Sequence, residues 1–262
     1  MELSKRLQAV ADLLDYHEAV ADIGCDHGYV SIYLIESKKA SQCLAMDVNQ
    51  GPLERAREHV NEKQLSTYIE TRLSDGAKAL KFFSREDGTM ALEVQAALIA
   101  GMGGRLMVKI IEDSLEKFKS MEEFVLQPQS EIPKVRQYVR AMGYHIQKED
   151  MVLEDGKFYP MMKVVRGKKV EKDVFHIPTY LQQRIDDEGF QLQELYDEYG
   201  EFLLQNKNQV LYQFLNYEKK LYLGIQKSLK ETESLKSEIR HREIEEKLKR
   251  INLGLEWFKD EM

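Results

Sequence analysis

The chain has 262 residues, of which 43% are hydrophobic and 32% charged, and its formal net charge is −7. That is enough for one large domain or a mid-sized one with an appendage, with no apolar run near the roughly 18 residues of a membrane span and no secretory signal in MELSKRLQAV. Two cysteines without a CxxC pair, and histidines that do not cluster, speak against a metal site and for a reducing cytoplasm.

Up to about Val165, short apolar runs alternate with helical patterns. Strands are predicted at Ala19–Ile23, Gln42–Asp47, Tyr68–Leu73, Ala96–Ala100, Glu123–Leu126, Tyr144–Leu153 and Phe158–Val165. Helices are predicted in the intervals, notably Leu53–Lys63, Arg105–Lys117 and Ile132–Met142. This alternation predicts an α/β fold with a parallel sheet covered on both faces. The last two runs, in MVLEDGKFYPMMKVV, leave room only for a Gly-containing turn, which predicts an antiparallel hairpin closing the sheet. Beyond Arg166 glycine and proline thin out. Apolar residues from Leu195, Tyr199 and Phe202 through Val210, Leu221 and Ile239 to Phe258 recur at steps of about three, four or seven. That spacing predicts two long helices folded back as an antiparallel, coiled-coil-like pair, with the break around Glu231–Ser237. Glu171–Tyr180 reads as the linker, so domains are expected at residues 1–167 and 168–262.

The stretch AVADIGCDHGYVSIYL, Ala19–Leu34, reads as strand, glycine turn and helix start, the usual seat of a nucleotide cofactor. A dinucleotide loop needs G-x-G-x-x-G, whose middle glycine lets backbone approach a pyrophosphate. Here the glycines are Gly24 and Gly28, and Asp26 takes the middle place. Carboxylates at Asp22 and Asp26 repel a pyrophosphate but attract the ammonium and sulfonium of S-adenosylmethionine. Asp47 ends the second strand, where an acid can take both ribose hydroxyls. Asp75, in LSDGAKAL, follows the third strand, where it can accept from an adenine amino group. ALIAGMGGRLM supplies a second turn, Gly101–Gly104, whose glycines can let a flat base approach the backbone. His27 and Tyr29 flank the first turn, within reach of a base. Each residue also has a plainer reading: Asp47 as a helix cap, Asp75 as a turn residue, the glycines as a tight turn, His27 and Tyr29 as loop packing.

Together LSKRLQAVADLL, ADIGCDHGYVSIYL, IAGMGG, LQPQ and EDGKFY resemble the bacterial tRNA (adenine(22)-N(1))-methyltransferases, by motif from Leu3 to Val165 and by architecture beyond. The combination of DIGxDH with IAGMGG is specific; each alone is not. The resemblance implies a class I, Rossmann-like methyltransferase domain followed by a small helical domain. It implies transfer of a methyl group from S-adenosylmethionine to N1 of an adenine in tRNA. It also implies a cofactor site of Asp22, Gly24, Cys25, Asp47, Val48, Asp75, Gly76 and Ala100. Asp26, Gly101, Met102 and Gly103 would sit at the target base, Arg6 near the entrance, and His27, Tyr29 and Arg105 on the substrate side. Gly28 stands where the family often has alanine, and Gln129 where it often has asparagine.

Adenine N1 already carries an in-plane lone pair, so attack on a methyl group depends on alignment more than on a base. Positive charge grows on the ring, and Asp26 near N6 is expected to stabilise it or to accept a proton. No NPPY-like segment follows the fourth strand, which argues against methylation of an exocyclic amine. N1 is hidden in a paired stem, so the base must be unpaired or flipped out. The acidic net charge argues weakly against a general nucleic-acid binder but allows a local basic patch. Lys219, Lys220, Lys227, Lys230, Arg240, Arg242, Lys247, Lys249 and Arg250 are its expected carriers, on a face that reads equally as RNA-placing, solvated or protein-binding. Three other readings stand beside this one. They are a methyltransferase acting on another RNA position or a protein, a non-enzymatic adaptor, and an NAD-linked oxidoreductase.

Overall fold

A computed structural model of the chain describes residues 3–167, 177–229 and 235–259. The chain divides into two compact units, Met1–Val170 and Glu171–Met262.

The first unit opens with helix α1 (Lys5–Leu13) and continues β1 (His17–Ile23), α2 (Tyr29–Glu36), β2 (Ala40–Asp47), α3 (Gln50–Glu62) and β3 (Ile69–Leu73). A small hairpin of β4 (Phe82–Ser84) and β5 (Met90–Leu92) precedes β6 (Ala96–Met102), α4 (Gly104–Glu112), α5 (Leu115–Ser120) and β7 (Glu123–Pro128). Then come α6 (Ile132–Ala141), β8 (Tyr144–Glu154) and β9 (Lys157–Arg166). Seven strands form one sheet in the order β3-β2-β1-β6-β7-β9-β8. The first five are parallel, and β9 runs antiparallel to both β7 and β8. This is the Rossmann-like sheet expected from the sequence, closed by the expected hairpin. Asp155 (φ 49) and Gly156 (φ 73) form its two-residue turn, the pair of left-handed positions that Asp-Gly favours.

Both sheet faces are buried because successive strand residues point to opposite cores. In β1, Ala19, Ala21 and Ile23 pack with Met107 and Ile110 of α4 and Val135 of α6. Val20 packs with Val10 of α1, Val30 of α2 and Leu53 of α3 on the other face. Two-sided burial is why these strands read as continuous apolar runs rather than as alternating ones.

The helix predicted at Arg105–Lys117 is two helices. The chain leaves helical geometry at Ser114 (φ −135, ψ 32), whose carbonyl accepts the first amides of α5, and Phe118 is thereby turned fully into the core. Neither α1 nor the β4–β5 hairpin is among the predicted elements. Ser4, whose hydroxyl accepts the Leu7 amide, is the N-cap signal of α1. Strands of three residues, as in β4 and β5, are too short to show a period.

The second unit contains α7 (Thr179–Asp187), α8 (Leu192–Tyr199), α9 (Glu201–Gln205), α10 (Gln209–Leu229) and α11 (Leu235–Glu256). The last two run antiparallel: Leu215 is packed against Gly254, and Glu218 pairs with Lys247 at 3.3 Å. Leu195, Tyr199 and Phe202 do not prolong α10, because the chain turns at Gly200 (φ 92) and again at Lys207 (φ 49). Leu221 and Ile239 are about half exposed (48% and 52%), so the apolar seam stops short of the far ends of α10 and α11. The predicted break and linker fall largely on residues 231–234 and 171–176, outside the described residues.

The expected basic face also needs correction. Lys247 is held between Glu198 (2.5 Å) and Glu218, over the Tyr199 ring, as a structural cation. Lys249 pairs with Glu188, Arg240 pairs with Glu243 and the Arg250 guanidinium covers Phe190, whereas Lys220, Lys227 and Arg242 are exposed. Lys230 lies outside the described residues. Among the described residues no helix is long and apolar enough to cross a membrane.

Candidate functional site

From β1 the chain moves first to β2 on one side and later to β6 on the other, and at such a reversal a crevice opens beyond the carboxyl ends of the strands. Here it is a cleft of about 480 Å³.

The turn after β1 forms its floor. The Gly24 and Cys25 amides both donate to the Met46 carbonyl, at 2.8 and 2.9 Å, which ties the turn to the end of β2. Gly24 has φ 78 and lies against the Met102 side chain, so a Cβ there would collide with Met102 Cε. Asp26 adopts φ 49, a left-handed conformation that costs a residue with a side chain on the order of 1 kcal/mol. Its carboxylate is mostly exposed and stands 3.6 Å from His27 Nε2. His27 Nδ1 accepts from Arg55 Nε at 3.3 Å, and the rings of His27, Tyr29 and His59 lie together, with Tyr29 and His59 stacked at 4.8 Å.

Beneath this turn, Asp22 is buried and accepts from Ser31 Oγ at 2.6 Å. Burial pushes its carboxyl up to about 6, against the lowering effect of hydrogen bonds from the Ser31 side chain and backbone. Asp22 therefore places a carboxyl group against Ser31 in the first turn of α2, where a phosphate would otherwise bind. Asp47 accepts the Asn49 amide at 2.8 Å on one oxygen and faces the Asp26 amide at 3.4 Å with the other. Burial pushes the Cys25 and Cys43 thiols up as well, which makes both inert as nucleophiles.

On the side of β3, Asp75 and Gly76 enter the cleft from the following loop. Asp75 pairs with Lys78 at 2.5 Å, and Gly76 (φ 60) sits on Ile110. Val48 and Ala100 also line the space. At the end of β6, Gly101 (φ 77) donates its amide to Gln127 Oε1 at 3.1 Å. The same oxygen accepts from Arg6 Nη1, and the Arg6 guanidinium covers the Tyr159 ring. Gln129 lines the cleft nearby.

One cleft thus gathers Arg6, His27 and Tyr29 with all four aspartates and with Gly101 and Met102. Gly103 and Arg105 do not line it. Gly103 is packed on Ser130 Oγ, and Arg105 is exposed on α4. Gln127 is not among the site residues expected from the sequence, because a polar residue inside an all-buried strand leaves no periodic mark. Its signal was the conflict itself: a glutamine in an otherwise apolar run must find partners. Four carboxylates against one guanidinium and one imidazole suit a cationic ligand bearing hydroxyls, and oppose a pyrophosphate.

Residues 3–162 match the family described as Methyltransferase domain. Over 167 residues the chain is 33% identical to the tRNA (adenine(22)-N(1))-methyltransferase of Bacillus subtilis (strain 168), covering 64% of this chain and 66% of that protein. The crystal structure of the B. subtilis M1A22 tRNA methyltransferase TrmK aligns with a TM-score of 0.76 at 26% identity, over 97% of this chain and 99% of that one. Streptococcus pneumoniae Sp1610 in complex with S-adenosyl-L-methionine aligns with a TM-score of 0.74, also at 26% identity, over 97% of this chain and 100% of that one.

Proposed function

We infer that this chain, which belongs to the methyltransferase domain family, is an S-adenosylmethionine-dependent tRNA methyltransferase that acts on N1 of an adenine, adenine 22 in the naming of its Bacillus relative. The observation that carries the reading is the acidic cleft, in which Asp22 already engages the start of α2 and leaves an anionic dinucleotide no welcome. S-adenosylmethionine, when bound, supplies the methyl group. Asp22, Gly24, Cys25, Asp47, Val48, Asp75, Gly76 and Ala100 are the residues proposed to hold it, with Asp47 toward the ribose hydroxyls and Asp75 toward the adenine amine.

On the substrate side, Asp26 and the Gly101–Met102 turn receive the target base. The Asp26 carboxylate, exposed at the cleft mouth, is free to meet the exocyclic amine and to stabilise the positive charge that methylation at N1 creates. Arg6, His27 and Tyr29 border the same space and serve to orient the nucleotide. We assign catalysis to residues 1–167 and tRNA placement to residues 168–262, in the cytoplasm. Exposed Lys220, Lys227 and Arg242 support the second assignment.

Mass spectrometry of nucleosides from unmodified tRNA, incubated with the protein and S-adenosylmethionine, tests this. The expected product is 1-methyladenosine; a different methylated nucleoside, or methyl groups only on protein, would overturn the substrate assignment.

A further inference from the structure

Residues 74–81 carry Asp75 and Gly76 into the cleft, yet they form neither helix nor strand, so something else must set their shape. Lys117, on α5, donates to the Ala77 and Lys78 carbonyls at 3.0 and 2.6 Å. Arg72, on β3, donates to the Ala79 carbonyl at 3.0 Å and clasps Glu93 through both terminal nitrogens, at 2.5 and 3.2 Å. Glu93 Oε1 in turn accepts the Lys81 amide. Three consecutive carbonyls and the amide that closes the loop are thus engaged by charged side chains from outside it. None of those three side chains lines the cleft.

The break at Ser114 contributes directly. α5 takes a new direction there, and it is α5 that brings Lys117 under the loop. Lys117 is held below the usual lysine range, chiefly by burial and in spite of Glu93 nearby. A partly desolvated ammonium makes firmer bonds to carbonyls than a solvated one, and its loss leaves those carbonyls poorly satisfied.

We propose that Lys117, acting with Arg72 and Glu93, is a positioning residue for the cofactor: it fixes the backbone of residues 74–81 so that Asp75 and Gly76 are presented to the adenosyl end of S-adenosylmethionine. This rests on the assignment of the cleft to that molecule. A residue that preorganises the loop should govern binding and leave the chemical step alone.

The test uses the full chain with Lys117→Met, Lys117→Arg and Glu93→Gln. Calorimetry with S-adenosylhomocysteine should show roughly tenfold weaker binding for Lys117→Met, the loss of one charge-assisted anchor. Its KM for S-adenosylmethionine should rise in parallel, while kcat at saturation stays within about twofold. Lys117→Arg should recover most of the affinity, and Glu93→Gln should resemble Lys117→Met. Hydrogen exchange should quicken in residues 74–81 of Lys117→Met and remain unchanged in β1 and β6. Unchanged Kd and KM in Lys117→Met, or a fall in kcat at constant KM, would overturn the proposal. A wild-type protein that fails to bind S-adenosylhomocysteine would overturn the cofactor assignment instead.

Discussion

Arg6 donates to the fully buried carboxamide oxygen of Gln127 at 2.8 Å, and through that oxygen α1 is joined to Gly101 at the end of β6. Replacing Gln127 by leucine removes the acceptor of both Arg6 and the Gly101 amide at once. The expected result is a saturated rate at least tenfold lower, near-normal affinity for S-adenosylhomocysteine, and a stability loss of about 1–3 kcal/mol from the stranded donors. Steady-state kinetics with thermal unfolding would check this, and an unchanged rate would remove Gln127 from the machinery.

Asp26 separates two roles. If its carboxylate only attracts the cofactor, Asp26→Asn raises KM for S-adenosylmethionine and saturating cofactor restores the rate. If it acts on the base, cofactor affinity barely changes and the saturated rate falls by roughly 10²–10³-fold. The second outcome is expected, because Asp22 is buried and Asp47 half-buried beneath the turn, whereas the Asp26 carboxylate is exposed on the substrate side. A near-normal rate at saturating cofactor and tRNA would sink it.

Asp22 links the cleft to pH. Its folded value of about 6 lies above the ordinary 3.8, so the folded protein holds this proton to higher pH than the unfolded chain does. Its stabilising contribution is complete below the unfolded value and is lost as pH rises through about 6. At neutral pH the ionised side chain costs the protein on the order of 3 kcal/mol. Asp22→Asn should therefore raise Tm more near neutral pH than near pH 4, while weakening cofactor binding. A cofactor ammonium favours the ionised form, so wild-type affinity should tighten as pH rises through about 6, with proton release. Calorimetry in two buffers of different ionisation heat measures that release; none near pH 6 would separate Asp22 from the cofactor's charge.

A chain ending at Gly167 should fold, bind S-adenosylhomocysteine with unchanged affinity and lose most of its affinity for tRNA. Gel-shift and calorimetric titrations would show this. Full methylation of tRNA by that shortened chain would reject a placement role for the helices.

Gly104→Ala should be the most damaging single methyl in the second turn. An added Cβ would run into the Ser130 carbonyl, which itself accepts the Gly104 amide and has no freedom to withdraw. A loss of a few kcal/mol in unfolding free energy is expected, of the size seen for overpacking. Retention of full stability would show that the turn yields more readily than its contacts suggest.

Much of this was legible before any fold was seen. The strands that bury both faces show as continuous apolar runs, Asp22 and Asp26 stand out as carboxylates at a glycine turn, and Asp47 and Asp75 by their places after the second and third strands. What stayed hidden lacked either length or period. The three-residue strands β4 and β5 were too short, and the kink at Ser114 was masked by apolar spacing that runs on from α4 into α5. Lys247 looked like a solvated cation because a one-dimensional pattern cannot show Glu198 arriving from another helix. Gly103 and Arg105, which the resemblance places on the substrate side, do not line the cleft, whereas Leu106 and Ile110 of α4 do, because the face a helical residue takes cannot be read from a motif alone.

The backbone of the first turn has an evolutionary corollary. Its Gly24 and Cys25 amides are bonded to Met46, its Gly28 amide to Cys25, and beneath it the Ser31 hydroxyl to Asp22. Swapping Asp26 for glycine would still leave Tyr29 where G-x-G-x-x-G has its last glycine, and would free none of the donors in the turn. A change of this site toward a dinucleotide would need the end of β2, the turn and the buried aspartate to change together. Each intermediate would lose one ligand before gaining the other, so the commitment to a cationic cofactor is a ratchet set in main-chain geometry, one that no single codon can reverse.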